Sequence, residues 1–176
     1  MDFIRDLLTA TNSSPNPEDR LSNKVRRVLE FIGFKVTDID AQIGDGIRQE
    51  EFWVQDGDFL TITKVIDAKA TRPKYKESSD LQARMTMVLR HREHVPDSEN
   101  VSGLLIVNYD LANYHFRPPR LFTGDAQEIV KAAIEKRIGL LSTVELYRIA
   151  IAVKDGRLPA TDGRVLIKAI INLPLP

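Results

Sequence analysis

The chain has 176 residues, 43% of them hydrophobic, enough for one well-cored domain and too few for two comfortable ones. It contains no cysteine, which excludes disulfides, thiolate catalysis and cysteine-based zinc sites and permits a reducing compartment. Lys plus Arg equal Asp plus Glu at 25 each, so a nucleic-acid role must rest on a local basic patch and not on net charge.

The opening Met1-Asp2-Phe3-Ile4-Arg5-Asp6-Leu7-Leu8 carries two acids in a short apolar run, which fits neither a secretory signal nor a membrane span. A soluble, cytoplasmic protein with no membrane partner is expected. Asn12-Ser13-Ser14-Pro15-Asn16-Pro17 gathers turn formers and two prolines, so residues 1–19 read as a leader or linker and residues 20–176 as one domain. Leu21, Val25, Val28, Leu29 and Ile32 recur at helical spacing, and Gly33 stands where a left-handed cap would end that helix. Phe34-Lys35-Val36-Thr37 alternates as a short strand does, and residues 41–46 read as a connection.

Phe52 and Val54 then mark one strand, and Leu60, Ile62, Ile66 and Ala68 one face of a longer strand. Together they predict a hairpin around Asp56-Gly57. Asp67 and Lys69 share the other face with Thr61, Thr63 and Val65, because residues two apart in a strand project together. Pairing the apolar faces sets Phe52 and Val54 beside Leu60 and Ile62, and Glu51 beside Asp67 and Lys69. That register needs a three-residue Asp56-Gly57-Asp58 loop; a two-residue Asp56-Gly57 turn puts Glu50 there instead.

Residues 71–78 read as a loop, and Ser79-Asp80-Leu81-Gln82 as a capping box opening a helix with Leu81, Met85, Val88 and Leu89 on its apolar stripe. Gly103-Leu104-Leu105-Ile106-Val107 is the apolar run of a strand covered on both faces, closed by Asn108. A long loop over residues 109–122 follows. A helix is predicted over about residues 125–137, a strand over 138–141, a helix opened by the Ser142-Thr143-Val144-Glu145 capping box, and a last helix capped by Thr161 and running to about Asn172. This order implies an α/β fold with a mixed central sheet flanked by helices.

The acid, then after a hairpin an Asp, one residue and a Lys, written here as Glu51, Asp67 and Lys69, resembles the signature of the restriction-endonuclease-like PD-(D/E)xK nuclease superfamily. Leu29-Glu30-Phe31-Ile32-Gly33-Phe34 before the motif, Gly103 to Asn108 after it and Pro118-Pro119-Arg120 also resemble a bacterial branch of that superfamily. The resemblance covers about residues 20–154, with the catalytic core in about residues 20–110. It implies a restriction-endonuclease-like fold and Mg²⁺-dependent hydrolysis of DNA phosphodiester bonds, with Mn²⁺ as a substitute. Glu51, Asp67 and the main-chain carbonyl of Ala68 would hold the metal, a hard cation that prefers oxygen ligands. Lys69 would orient the attacking water or stabilise the transition state, and Gln82 would support Lys69. Two positions depart from the pattern: Glu51 stands where the family more often has Asp, and Ser22 and Asn23 stand where many relatives carry a glutamate.

From Lys69 to His94 there are seven Lys or Arg against three acids, a local excess of four positive charges. Arg72, Lys74, Lys76 and Arg84 are the candidates within it for holding a DNA backbone. The plainer readings are a solvated ion pair for Asp67 and Lys69, a capping role for Gln82 and an ordinary charged helix face for the basic patch. Trp53 is read as packed in preference to base-stacking. The alternative function is a catalytically degenerate module of the same fold that binds nucleic acid or a protein partner. A homodimer, or a place as a module of a larger protein, is compatible with the sequence.

Overall fold

The computed structural model describes residues 3–39, 51–66, 85, 86, 88, 89, 92, 101–108 and 126–171. Five strands, β1 (Lys35–Asp38), β2 (Glu51–Asp56), β3 (Phe59–Ile66), β4 (Ser102–Val107) and β5 (Ile138–Ser142), form one sheet in the order β1-β2-β3-β4-β5. β1, β2 and β3 pair antiparallel in succession, and β3, β4 and β5 run parallel. The helices are α1 (Phe3–Asp6), α2 (Leu21–Ile32), α3 (Ala126–Glu135), α4 (Thr143–Lys154) and α5 (Ala160–Ile171), and Met85, Thr86, Val88, Leu89 and Arg92 are also helical. This is the expected α/β arrangement of a mixed sheet flanked by helices.

α2 forms where its periodicity predicts, and Leu21, Val25, Val28, Leu29 and Ile32 are all buried. Gly33 ends it in the left-handed region at φ 102°, with the Phe34 amide reaching back to the Leu29 carbonyl. A Cβ on Gly33 would lie 2.5 Å from Arg164 Nη1, the same nitrogen that donates to the Ile32 carbonyl at 3.1 Å. The glycine thus supplies the backbone conformation and also the room for α5 to cap α2.

The β2–β3 connection differs from expectation. Asp56 pairs with Phe59, leaving Gly57 and Asp58 as a two-residue turn. Gly57 has φ 60° and Asp58 has negative φ, the type II′ form, which calls for glycine at the first central position. Phe52 therefore pairs with Thr63, Val54 with Thr61 and Glu51 with Lys64. Directly paired residues share a face, so Phe52 and Val54 lie with Thr61, Thr63 and Val65, not with Leu60 and Ile62. The hydrophobic pattern misled because residues 61–66 are buried on both faces, so polarity does not alternate with face.

Two apolar layers result. On one face Phe52, Val54, Val65, Leu104, Ile106 and Leu141 pack against α2, α4 and α5. On the other, Ile62, Ile66, Leu105, Val107 and Ile138 pack against Met85, Val88 and Ala133. β4 is buried along its whole length between two parallel neighbours, as its unbroken apolar run predicts. Gly103 has a packing role there, because a Cβ would sit 2.6 Å from Val88 Cγ1 and push that helix off the sheet.

The stretch expected as a leader contributes to the core, since Ile4 and Leu7 are buried in the α2 layer. Its turn formers have specific work. Asn16 caps a short 3₁₀ turn, Pro17–Asp19, and Asn12 Oδ1 accepts from the Ser22 amide at 2.9 Å at the start of α2. Lys24, itself buried, places its ammonium 3.5 Å from Asp6 and 3.4 Å from Asp19, so one cation ties both pieces of the segment to α2. At the other terminus, α5 begins at Ala160, two residues earlier than a Thr161 cap predicts. The Pro159 carbonyl accepts from the Asp162 and Gly163 amides, so Thr161 lies inside the helix and does not cap it.

Candidate active site

β3, β4 and β5 run parallel and end together at Ile66, Val107 and Ser142. Carboxyl ends of parallel strands are where open α/β sheets place their ligands, because the chain departs there into loops with free polar groups. Asp67 follows Ile66 directly in sequence. Asp67, Ala68, Lys69, Gln82, Arg72, Lys74, Lys76 and Arg84 all lie outside the described residues, as do Glu50 and the Pro118-Pro119-Arg120 stretch. Of the predicted metal ligands only Glu51 is described, as the first residue of β2.

The described rim of this end is well ordered by hydrogen bonds. The Asn108 amide donates to the Ile66 carbonyl at 3.2 Å, holding the last residue of β3 to the residue that closes β4. Asn108 Nδ2 donates to the Ala10 carbonyl at 3.4 Å, which brings the amino-terminal segment to the same place. Ser142 and Glu145 form the predicted capping box: Ser142 Oγ accepts from the Glu145 amide at 3.1 Å, and Glu145 Oε2 accepts from the Ser142 amide at 3.0 Å. α4 and α2 therefore both start at this end of the sheet, α2 through the Leu21 amide donating to the Thr11 carbonyl.

Lys64 was not singled out by sequence reasoning. It is 3% exposed, the one charged residue of β3, and directly opposite Glu51. An ammonium at that depth needs a compensating partner, and the signal for it was a lone lysine inside a run of buried β residues. The register that pairs Lys64 with Glu51 also sets Glu51 on the Ile62 and Ile66 face, so the three-residue loop that would align Glu51 with Asp67 is not formed. Trp53 shares that face, partly buried against the same apolar layer, which fits packing.

The opposite end of the sheet carries the clearest electrostatic cluster. Asp56 Oδ2 at the tip of β2 meets Lys168 Nζ and lies 3.2 Å from Arg164 Nε, both on α5. The hydrogen bond from Lys168 holds the Asp56 carboxyl below its ordinary value; partial burial opposes this, and the nearby charges of Lys168 and Arg164 reinforce it. Arg164 Nε is poorly aligned for a hydrogen bond to Asp56, so that contact is an ion pair. Lys168 also stands over the Phe59 ring at 5.6 Å. Every charge here is taken up in joining the hairpin to α5.

Comparison of the chain with protein-family models, with curated proteins and with solved structures gave no match. Among the described residues there is no group of three or more His, Cys, Asp or Glu able to hold a metal ion, and no helix is long and apolar enough to cross a membrane.

Proposed function

We propose that this chain is a metal-dependent nuclease or nuclease domain that hydrolyses DNA phosphodiester bonds. The observation that supports it best is topological: an antiparallel β1-β2-β3 unit continues into parallel β4, and the Asp67-Ala68-Lys69 sequence begins where the interior strand β3 ends. A carboxylate and an ammonium placed at that edge suit phosphate chemistry.

The donor set fits a hard divalent cation, since the side chain of Asp67, the carbonyl of Ala68 and a glutamate from β2 offer only oxygen. When bound, Mg²⁺ would neutralise charge developing on the phosphate and lower the pKa of a water. Lys69 would donate to the attacking water or a phosphate oxygen, and Gln82 would hold Lys69 in place. Arg72, Lys74, Lys76 and Arg84 would bind backbone phosphates, giving an affinity that falls as salt rises.

The two-residue turn bears on the first acid. With a two-residue turn, Glu51 takes the parity of Lys64 and not of Val65, so it is off the face on which the sequence places Asp67 with Thr61, Thr63 and Val65. Glu50 is therefore the better-supported first acid. The same register also favours a second reading, a catalytically degenerate module that binds nucleic acid or a protein partner, should neither glutamate serve. Incubation of plasmid DNA with Mg²⁺ or Mn²⁺ tests the choice. Nicking or linearisation that is abolished by EDTA and by Lys69→Ala supports the nuclease; DNA binding without cleavage in either metal assigns the degenerate module.

A further inference from the structure

We propose that Asn108 is a positioning residue that braces the start of the Asp67-Ala68-Lys69 stretch against the amino-terminal segment. Asn108 is 5% exposed and stands just beyond β4. Its main-chain amide donates to the Ile66 carbonyl, and that carbonyl belongs to the planar peptide unit joining Ile66 to Asp67. The six atoms of such a unit are coplanar, so a bond that fixes the Ile66 oxygen constrains the last peptide plane of β3.

The side chain of Asn108 reaches the other way, to the Ala10 carbonyl, across 98 residues of sequence. Ala10 is itself held. The Thr11 carbonyl accepts from the Leu21 amide, Asn12 Oδ1 accepts from the Ser22 amide, and Lys24 pairs with Asp6 and Asp19. One buried residue, through its side chain on one side and its main-chain amide on the other, thus links a segment anchored on α2 to the last peptide of β3. A residue that merely ended β4 would need neither the burial nor the reach to Ala10. Groups that orient metal ligands from behind act in this way, and their loss costs about 10- to 100-fold in metal affinity or activity.

The consequence for cleavage rests on reading Asp67 as a metal ligand; the bracing itself does not. Asn108→Ala removes the tether, and Asn108→Asp keeps the size but loses the donor. In both, amide exchange followed by NMR should accelerate about tenfold at residue 108, while the Gly103 amide, bonded to the Arg137 carbonyl, keeps its wild-type rate. The Mn²⁺ concentration for half-maximal cleavage should rise about tenfold, with the rate at saturating Mn²⁺ within about threefold of wild type. Unchanged exchange at residue 108, or acceleration spread evenly over the sheet, overturns the proposal. So does local acceleration without a shift in Mn²⁺ dependence in an active enzyme. If the wild type neither binds Mn²⁺ nor cuts DNA, the nuclease reading fails, and the exchange pattern alone supports or overturns the brace.

Discussion

The two ends of the sheet are built on different principles. At the hairpin end, Asp56, Arg164, Lys168 and the Gly33 turn join β2, α2 and α5 through charges that satisfy one another. At the carboxyl end, β3, β4 and β5 stop together, two helices begin, and hydrogen bonds hold the strand ends to each other and to Ala10. A cluster whose charges are consumed internally has nothing left for a ligand, whereas an edge with oriented backbone and a following acid and lysine has. Among the described residues, the perturbed ionisation of Asp56 therefore marks a structural joint, and the chemistry proposed for Asp67 and Lys69 would belong to the far end of the same strands.

This division can be broken by substitutions at each end. The largest effects are expected at the carboxyl end: Asp67→Asn or Lys69→Ala should lower the cleavage rate about 10²- to 10³-fold, with thermal unfolding little changed. Next, Glu50→Gln and Glu51→Gln measured side by side should separate, Glu50→Gln abolishing Mn²⁺-dependent cleavage and Glu51→Gln acting chiefly on stability through the strand position opposite Lys64. The reverse result would mean that the β2–β3 register does not carry through to the site.

At the hairpin end the effects should appear in stability alone. Gly33→Ala forces a Cβ into left-handed backbone and displaces Arg164 from the Ile32 carbonyl, which should cost about 1–2 kcal/mol in urea unfolding. Asp56→Asn should cost about 1 kcal/mol, discounted because the carboxyl is partly solvated. The sign of its pH dependence follows from the lowered pKa. The ionised form is favoured in the folded state, so the contribution is complete above the ordinary value of 3.8 and fades as pH falls through the lowered folded value. Acid unfolding followed between pH 5 and 2 should then show a smaller loss of stability for Asp56→Asn than for wild type, about 1 kcal/mol less.

Sequence reasoning recovered what local patterns determine. α2 was legible from the spacing of Leu21, Val25, Val28, Leu29 and Ile32 and from Gly33, and β4 from its unbroken apolar run. The Ser142–Glu145 capping box was legible because both partners lie within four residues. The hairpin register was not, because β3 is buried on both faces and alternation lost its meaning. The amino-terminal segment was misread for a related reason: its asparagines and prolines resemble a flexible linker, but they cap helices and place Ile4 and Leu7 in a core assembled from distant residues. Lys24 and Asn108 likewise gain their roles only from partners that sequence spacing does not reveal. As for the candidate site, the Asp67-Ala68-Lys69 motif is a feature of the sequence that lies outside the described residues, whereas the register of Glu51 against β3 depended on a turn shifted by one residue.

The most direct test compares three proteins, wild type, Asp67→Asn and Asp56→Asn, in one Mn²⁺-dependent plasmid cleavage assay at a temperature where all three are folded. The division of the sheet into a structural end and a catalytic end predicts full cleavage by wild type and Asp56→Asn and none above background by Asp67→Asn. Equal cleavage by Asp67→Asn and wild type, or loss of cleavage in folded Asp56→Asn, would contradict it.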